Sequence, residues 1–302
     1  MSEVKNLPAS IRQRLLNKAR ATNRPFNEIL QYYAIERFLY RISRSSYSDK
    51  FILKGALMFL AWGASVYRPT RDIDFLGYTT NDLETVTRVI QEMCVQEVEP
   101  DGLNFDGSTI QSERIKEDAD YEGVRANLTG YLGKAKIPLQ IDIGFADVVS
   151  PAPIILQYPT ILQMPAPHLR GYPPESVVAE KLQALVFLGN VNSRMKDFYD
   201  LWVLAEQFEF DGQTLQQAII NTFRRRNTML PKEIPSGLSD TFAAENQAKW
   251  RGFLQRLHFE GVPESFVVIT QALNRILVPP LQSSANGKLF KGNWKPGGPW
   301  KF

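Results

Sequence analysis

The chain has 302 residues, 44% of them hydrophobic and 22% charged, enough to bury a sizeable core in one large or two smaller domains. The formal net charge of +3 is a mild excess that does not by itself select a nucleic-acid partner. A single cysteine, Cys94, excludes an intrachain disulfide and a metal held by a cysteine cluster, and the two histidines, His168 and His258, argue against a histidine dyad or a zinc site. No basic segment followed by an apolar one opens the sequence, and no apolar run reaches ~18 residues, so the expectation is a cytoplasmic protein without a membrane span.

In chain order, Pro8 to Leu16 opens a first helix with Ser10 as a possible cap. Phe26 to Ile42 predicts a second, with Ile29, Leu30, Tyr33, Ala34, Phe38 and Leu39 on one stripe. Residues 1–50 are expected to form an N-terminal helical cap. They carry ten bases against four acids, whereas residues 81–122 are predominantly acidic. The basic face is open to two readings, a surface for an anion or a solvated helix surface.

Residues 51–150 are expected to be an α+β core. Phe51 to Trp62 reads as a helix or a strand leading into a helix through Gly55, and Arg71 to Leu76 as a short strand. Leu83 to Cys94 predicts a helix. Phe105 to Lys116, Gly123 to Gly133 and Ile137 to Phe145 predict strands. Prolines at 151, 153, 159, 165, 167, 173 and 174 then suggest a long extended connection and a domain boundary.

A helical lobe is expected over residues 165–280. Pro174 to Leu188 is a helix with proline near its first position and Gly189-Asn190 as its stop. Ser193 is read as the cap of a helix from Arg194 to Phe208, and Leu215–Arg225, Thr241–Leu257 and Pro263–Val278 look helical. Residues 281–302 read as an irregular tail, basic and aromatic. With Phe223–Asn227 ("FRRRN") and the first helices, the tail and its Trp294 and Trp300 offer surfaces for RNA backbone or, alternatively, solvated charge runs.

The chemistry concentrates in "RDIDFLG". Side chains at i and i+2 of a strand share a face, so Asp72 and Asp74 point one way and Ile73 and Phe75 the other. Two carboxylates on one face repel unless a cation joins them. An oxygen-only pair suits Mg²⁺ or Mn²⁺, which bind carboxylates together with substrate phosphates. The alternative is a strand end whose aspartates pair with Arg68 or Arg71. Asp142, again a lone acid in an apolar strand ("LQIDIGF"), would complete a three-carboxylate site for in-line phosphoryl transfer if its strand neighbours the first.

The series "LKGA…YRPTRDIDFLG", "LQIDIGFAD", "AEKLQAL" and "RMKDFYDL" resembles the AbiEii/AbiGii-type nucleotidyltransferase toxins of the DNA polymerase β-like superfamily. The similarity runs from Pro8 to beyond Leu201. It implies an α+β, two-lobed enzyme: a small mixed sheet with helices, then a helical C-terminal lobe, with NTP held between lobes. It implies Asp72, Asp74 and Asp142 as catalytic and metal-binding acids, Asp142 also as base. Lys181 is implied at the nucleotide phosphates and Asp197 as the acid of the fourth motif. Lys54, Gly55, Ala56, Arg68, Arg71, Lys181 and Lys196 are the candidates for NTP contact.

Read without the family, Lys181 is equally a snorkelling lysine or a partner of Glu180 or Glu175. Asp197 is favoured in a first helical turn anyway, and Lys196 and Asp200 are spaced to pair at i,i+4. Where the superfamily has Gly-Gly or Gly-Ser, this chain has Gly55-Ala56, which bears on triphosphate affinity. The resemblance further implies transfer from an NTP to an acceptor such as the tRNA 3′ end. It implies an AbiEi-type antitoxin encoded nearby and a type IV toxin–antitoxin or phage-defence role. Alternatives are an NTP-binding module without turnover, and a transferase acting on a protein or a small molecule.

Overall fold

The computed structural model describes residues 6–65, 68–118, 121–257 and 261–302; His258 lies outside them. The chain divides into two units, one of residues 1–63, 70–146 and 154–171, the other of residues 64–69, 147–153 and 172–302. Among the described residues no helix is long and apolar enough to cross a membrane.

The first unit opens with α1 (Leu7–Ala21), whose cap is Asn6 rather than Ser10: its Oδ1 accepts from the Ala9 N–H. In α2 (Phe26–Arg44) the expected apolar stripe is buried, but so is nearly everything from Ile29 to Ile42, including Glu36, Arg37 and Arg41. The basic face read from the sequence is therefore partly internal. Arg41 binds Asp101 through Nη1 at 2.6 Å and Nη2 at 3.2 Å, Arg37 Nε faces Glu36 at 3.1 Å, and Arg37 Nη2 donates to the Pro165 carbonyl. Buried charges persist only when paired in this way.

The chain continues through β1 (Phe51–Lys54), α3 (Leu57–Ala61), β2 (Asp72–Gly77), α4 (Leu83–Cys94), β3 (Leu103–Asp118), β4 (Tyr121–Leu132), β5 (Ala135–Phe145), β6 (Ile154–Gln157) and β7 (His168–Gly171). These strands form one sheet in the order β3-β4-β5-β2-β1-β7-β6. β2 runs parallel to β5 and β1 to β7, and the other neighbours are antiparallel, so the sheet is mixed as expected. One face carries Phe51, Leu53, Ile73, Phe75, Val124, Ala126, Ile141 and Ile143, all buried in one cluster with residues of α1, α2 and α4. The segment expected as a separate cap over 1–50 thus shares its core with the sheet. The proline-rich connection is corrected too: it supplies β6 and β7, and β7 pairs with β1. Prolines are tolerated because they flank these short strands instead of interrupting them.

The second unit contains α5 (Pro174–Leu188), α6 (Met195–Gln207), β8 (Phe210–Asp211), α7 (Gly212–Arg225), α8 (Asp240–Glu245), α9 (Gln247–Leu257), α10 (Phe266–Ala285), β9 (Asn293–Trp294) and β10 (Trp300–Lys301). Gly189, at φ +50°, stops α5 as read from sequence. Arg194, not Ser193, occupies the cap position of α6, and the expected single helix over 241–257 breaks at Asn246 into α8 and α9. Phe198, Phe242, Trp250 and Phe266 pack in the core at ring separations of 5.0–6.1 Å, two of the pairs stacked, one edge-to-face and one tilted.

The tail is largely irregular, as expected, but it is anchored: two two-residue strands interrupt it. β9 pairs with β8 and β10, and Phe290, Trp294 and Trp300 are buried. Its aromatics complete helix backbones. Pro280 inside α10 has no N–H to give the Ile276 carbonyl, and the Trp300 indole N–H donates to that oxygen at 3.1 Å. The Ala205 carbonyl, in the last turn of α6, likewise accepts from Trp294 Nε1 at 2.8 Å. This is why α10 runs past Val278, and why Trp294 and Trp300 are unavailable to stack on RNA.

Candidate active site

Alternation along β2 places Asp72 and Asp74 on the sheet face opposite the core, while Ile73 and Phe75 are buried on the other. In-register pairing extends this into a row across four strands: Lys54 of β1, Asp74 of β2, Asp142 of β5 and Arg125 of β4. The third acid therefore stands beside the pair. Asp142 and Lys54 are each only 7% exposed.

Asp142 is held by Arg125, whose Nε donates to Oδ1 at 2.8 Å and Nη2 to Oδ2 at 2.7 Å; Gln140 Nε2 adds a contact to Oδ2 at 3.2 Å. The hydrogen bonds that Arg125 donates to Asp142 push the Arg125 pKa further up. Arg125 was missed in the sequence. Its signal was the one that found Asp142, a lone charge in an apolar strand, here between Val124 and Ala126. By neutralising Asp142 it lets three carboxylates share one sheet face. Among the described residues no three His, Cys, Asp or Glu side chains form a ready-made metal cage.

Gly55 joins β1 to α3 at φ +72°, and a Cβ there would lie 2.0 Å from Asp74 Oδ2. Only glycine satisfies both the left-handed backbone and the closeness of the carboxylate. Ala56 follows, buried, at the cap of α3, which has five residues and so contributes little dipole. Arg71 is exposed and, with Asp72, lines a cavity of about 710 Å³ in this unit.

The second unit holds the other candidates. Lys181 on α5 and Asp197 on α6 meet at 2.6 Å, and Lys181 Nζ also reaches Asp200 Oδ2 at 3.0 Å. Asp200 is 2% exposed and takes two bonds from Arg68, Nε to Oδ1 at 2.9 Å and Nη2 to Oδ2 at 3.1 Å. The alternatives of Lys181 with Glu180 or Glu175, and of Lys196 with Asp200, give way to this network, because Asp200 faces inward on α6 while Lys196 is exposed. Burial works against the Lys181 ammonium, but Asp197 and Asp200 outweigh it and hold its pKa above the usual lysine value. Burial likewise opposes the Asp200 carboxylate, and Arg68 and Lys181 hold its pKa below the usual range.

Arg194, Lys196, Lys249 and Arg256 surround a cavity of about 530 Å³ beside Phe253, with no acid among its described lining residues. Of the "FRRRN" stretch, Phe223 is buried and Arg226 is engaged inward, with Nη2 to Asp147 at 3.1 Å and Nη1 to the Gln183 carboxamide at 3.0 Å. That leaves Arg224 and Arg225 on the surface.

Two solved structures resemble the chain distantly. One, described as a nucleotidyltransferase from Helicobacter pylori, is 14% identical over 83% of this chain and 93% of its own, with a TM-score of 0.46. The other, JHP933 from Helicobacter pylori, is 15% identical over 85% of this chain and 94% of its own, with a TM-score of 0.45. No curated protein matches. Residues 37–272 match the family described as nucleotidyl transferase AbiEii toxin, type IV toxin–antitoxin system. The match spans most of the chain, so the protein belongs to the AbiEii nucleotidyl transferase toxin family and is a nucleotidyltransferase.

Proposed function

We propose that the protein moves a nucleotide from an NTP onto the 3′ hydroxyl of a tRNA, as the toxin of a pair whose AbiEi-type antitoxin restrains it. The observation that carries the reading is the row Lys54–Asp74–Asp142–Arg125 with Gly55 pressed against Asp74. Asp72 and Asp74 fit a divalent cation that takes two carboxylates and completes its shell with phosphate oxygens and water. Mg²⁺ or Mn²⁺ bound there would supply charge neutralisation at the transferring phosphate.

The chain's own groups do the rest. Gly55, free of a side chain, lets backbone come close to the triphosphate, and Lys54 adds a positive charge next to Asp74. Asp142, oriented by Arg125, takes the proton of the acceptor hydroxyl. The freed oxygen then bonds to the α-phosphorus, and the bond to the bridging oxygen breaks to release pyrophosphate. The family resemblance assigns Lys181 to the nucleotide phosphates, and within its own unit Asp197 and Asp200 hold its ammonium in place. The basic cavity at Arg194, Lys196, Lys249 and Arg256 favours a polyanionic acceptor over a small molecule.

The test is a transfer assay: purified protein, total cellular RNA, Mg²⁺ and each α-³²P-labelled NTP, beside Asp74→Ala. A labelled band of tRNA size, absent from the variant, supports the reading. Ala56 in place of the superfamily's Gly or Ser favours one second reading, an NTP-binding module. NTP binding by calorimetry with no label on any RNA would select it.

A further inference from the structure

Beside the row of charges runs a second, uncharged one. Asp72 of β2 pairs with Gln140 of β5, Gln140 with Asn127 of β4, and Asn127 with Gln111 of β3. Residues in register across a sheet project on the same face, so three carboxamides lie in line from the catalytic acid. Successive strands are ~4.8 Å apart, which puts Asn127 about 10 Å along the sheet from Asp72.

All four line the cavity of about 710 Å³, with Ser108 and Thr129 among the other polar lining residues. The space has a structural origin. β3 bulges between Asp106 and Gln111, where β4 advances only from Thr129 to Asn127. The bulge is tied down: Ser108 Oγ donates to Asp106 Oδ1 at 2.6 Å, and the Thr129 N–H to Thr109 Oγ1 at 2.9 Å. Gln140 is anchored on Asp142, whereas the carboxamides of Asn127 and Gln111 make no hydrogen bond to the described protein.

The cavity is thus polarised. Charge sits at one end, on Asp72 and Arg71, and neutral amides and hydroxyls at the other. A nucleotide is polarised in the same sense, with phosphates at one end and a neutral base at the other. A carboxamide offers a donor and an acceptor side by side, the complement of a base edge. We infer that this bulge pocket reads a nucleobase, with Asn127 and Gln111 as the specificity-determining side chains. The inference rests on the proposed nucleotidyl transfer and names a subsite of it. The base belongs either to the incoming NTP or to the 3′ end of the acceptor.

The test measures binding apart from turnover. Wild type, Asn127→Ala and Gln111→Ala are titrated with each of the four NTPs and with four short RNA oligonucleotides that differ only in their 3′ base. Thermal melting is followed alongside. The expected result is a base preference in the wild type that falls about tenfold in the variants with melting unchanged. Loss among the NTPs assigns the pocket to the incoming nucleotide, and loss among the oligonucleotides assigns it to the acceptor. No wild-type preference in either series, or variants that weaken all probes equally or none, overturns the inference. A wild type that binds selectively but transfers nothing overturns the reaction and leaves the pocket standing.

Discussion

Replacing Gly55 with alanine perturbs the active site by a single methyl group. The added Cβ would lie 2.0 Å from Asp74 Oδ2, 2.7 Å from Cγ and 2.8 Å from Cβ, whereas ordinary contact begins at 3.4 Å. The carboxylate must retreat by 3.4 − 2.0, or about 1.4 Å, and β2 must yield too because the Asp74 Cβ is itself too close. Alanine at φ +72° adds about 1–2 kcal/mol of backbone cost. Misplacing a reacting group by ~1 Å costs about 100-fold in rate. Gly55→Ala should therefore lose about two orders of magnitude in transfer kcat/KM and only modest stability. Urea unfolding and the labelled-NTP assay on Gly55→Ala, Asp74→Ala and the double variant separate the effects. In the double variant the added methyl should cost no further activity, since both changes act on one carboxylate. Full activity in Gly55→Ala would refute the reasoning, as Asp74 would then have moved without consequence.

Asp74→Asn keeps the side chain's size and should abolish transfer while the chain still melts cooperatively as a folded protein; an unfolded variant would make the pair structural. Asp200→Ala leaves Arg68 and Lys181 charged and largely buried, and should lower unfolding free energy by about 3–5 kcal/mol in a denaturant titration near neutral pH. Glu36, 1% exposed, has its pKa pushed by burial to about 7, so the fold favours the neutral acid. Its stabilisation is complete below the unfolded carboxyl value of 4.5 and is lost as pH rises through about 7, a difference of roughly 3 kcal/mol. The urea midpoint should fall from pH 5 to pH 8 in the wild type and far less in Glu36→Gln. Trp300→Phe keeps most of the ring but strands the Ile276 carbonyl, and should cost about 1–3 kcal/mol by thermal or urea melting; no change would mean that oxygen finds another donor.

Local pattern made much of this legible. Ile-Asp-Phe alternates with period two, so the chain alone says that Asp72 and Asp74 share a face and that Ile73 faces the core. The stripe of α2 and the stop of α5 at Gly189 were equally local. Charge was less legible. Arg37 and Arg41 count as surface bases in a tally, yet α2 is covered on nearly every side, and Arg41 meets Asp101 from the acidic segment. Composition reports how many charges there are, not which of them a neighbouring element desolvates.

Residues far apart in the chain were decided by tertiary structure. Lys181 and Asp197 were legible as candidates only through the family motifs, and their 2.6 Å contact, with Asp200 and Arg68 beside it, depends on helix packing that no spacing rule encodes. The prolines of 151–174 disguised β6 and β7, because strands of four residues are defined by the neighbours they pair with. The basic tail was misread because Trp294 and Trp300 are held by carbonyls of α6 and α10, distant in sequence. By itself the sequence determined which side chains share a strand face and which acids stand alone among apolar neighbours, since both follow from the two-residue repeat of an extended chain. Strand order and register decided that Asp142 falls beside Asp74, that Arg125 binds it, and that three carboxamides line up from Asp72. Register is set by backbone pairing between segments tens of residues apart, and no local pattern carries that information.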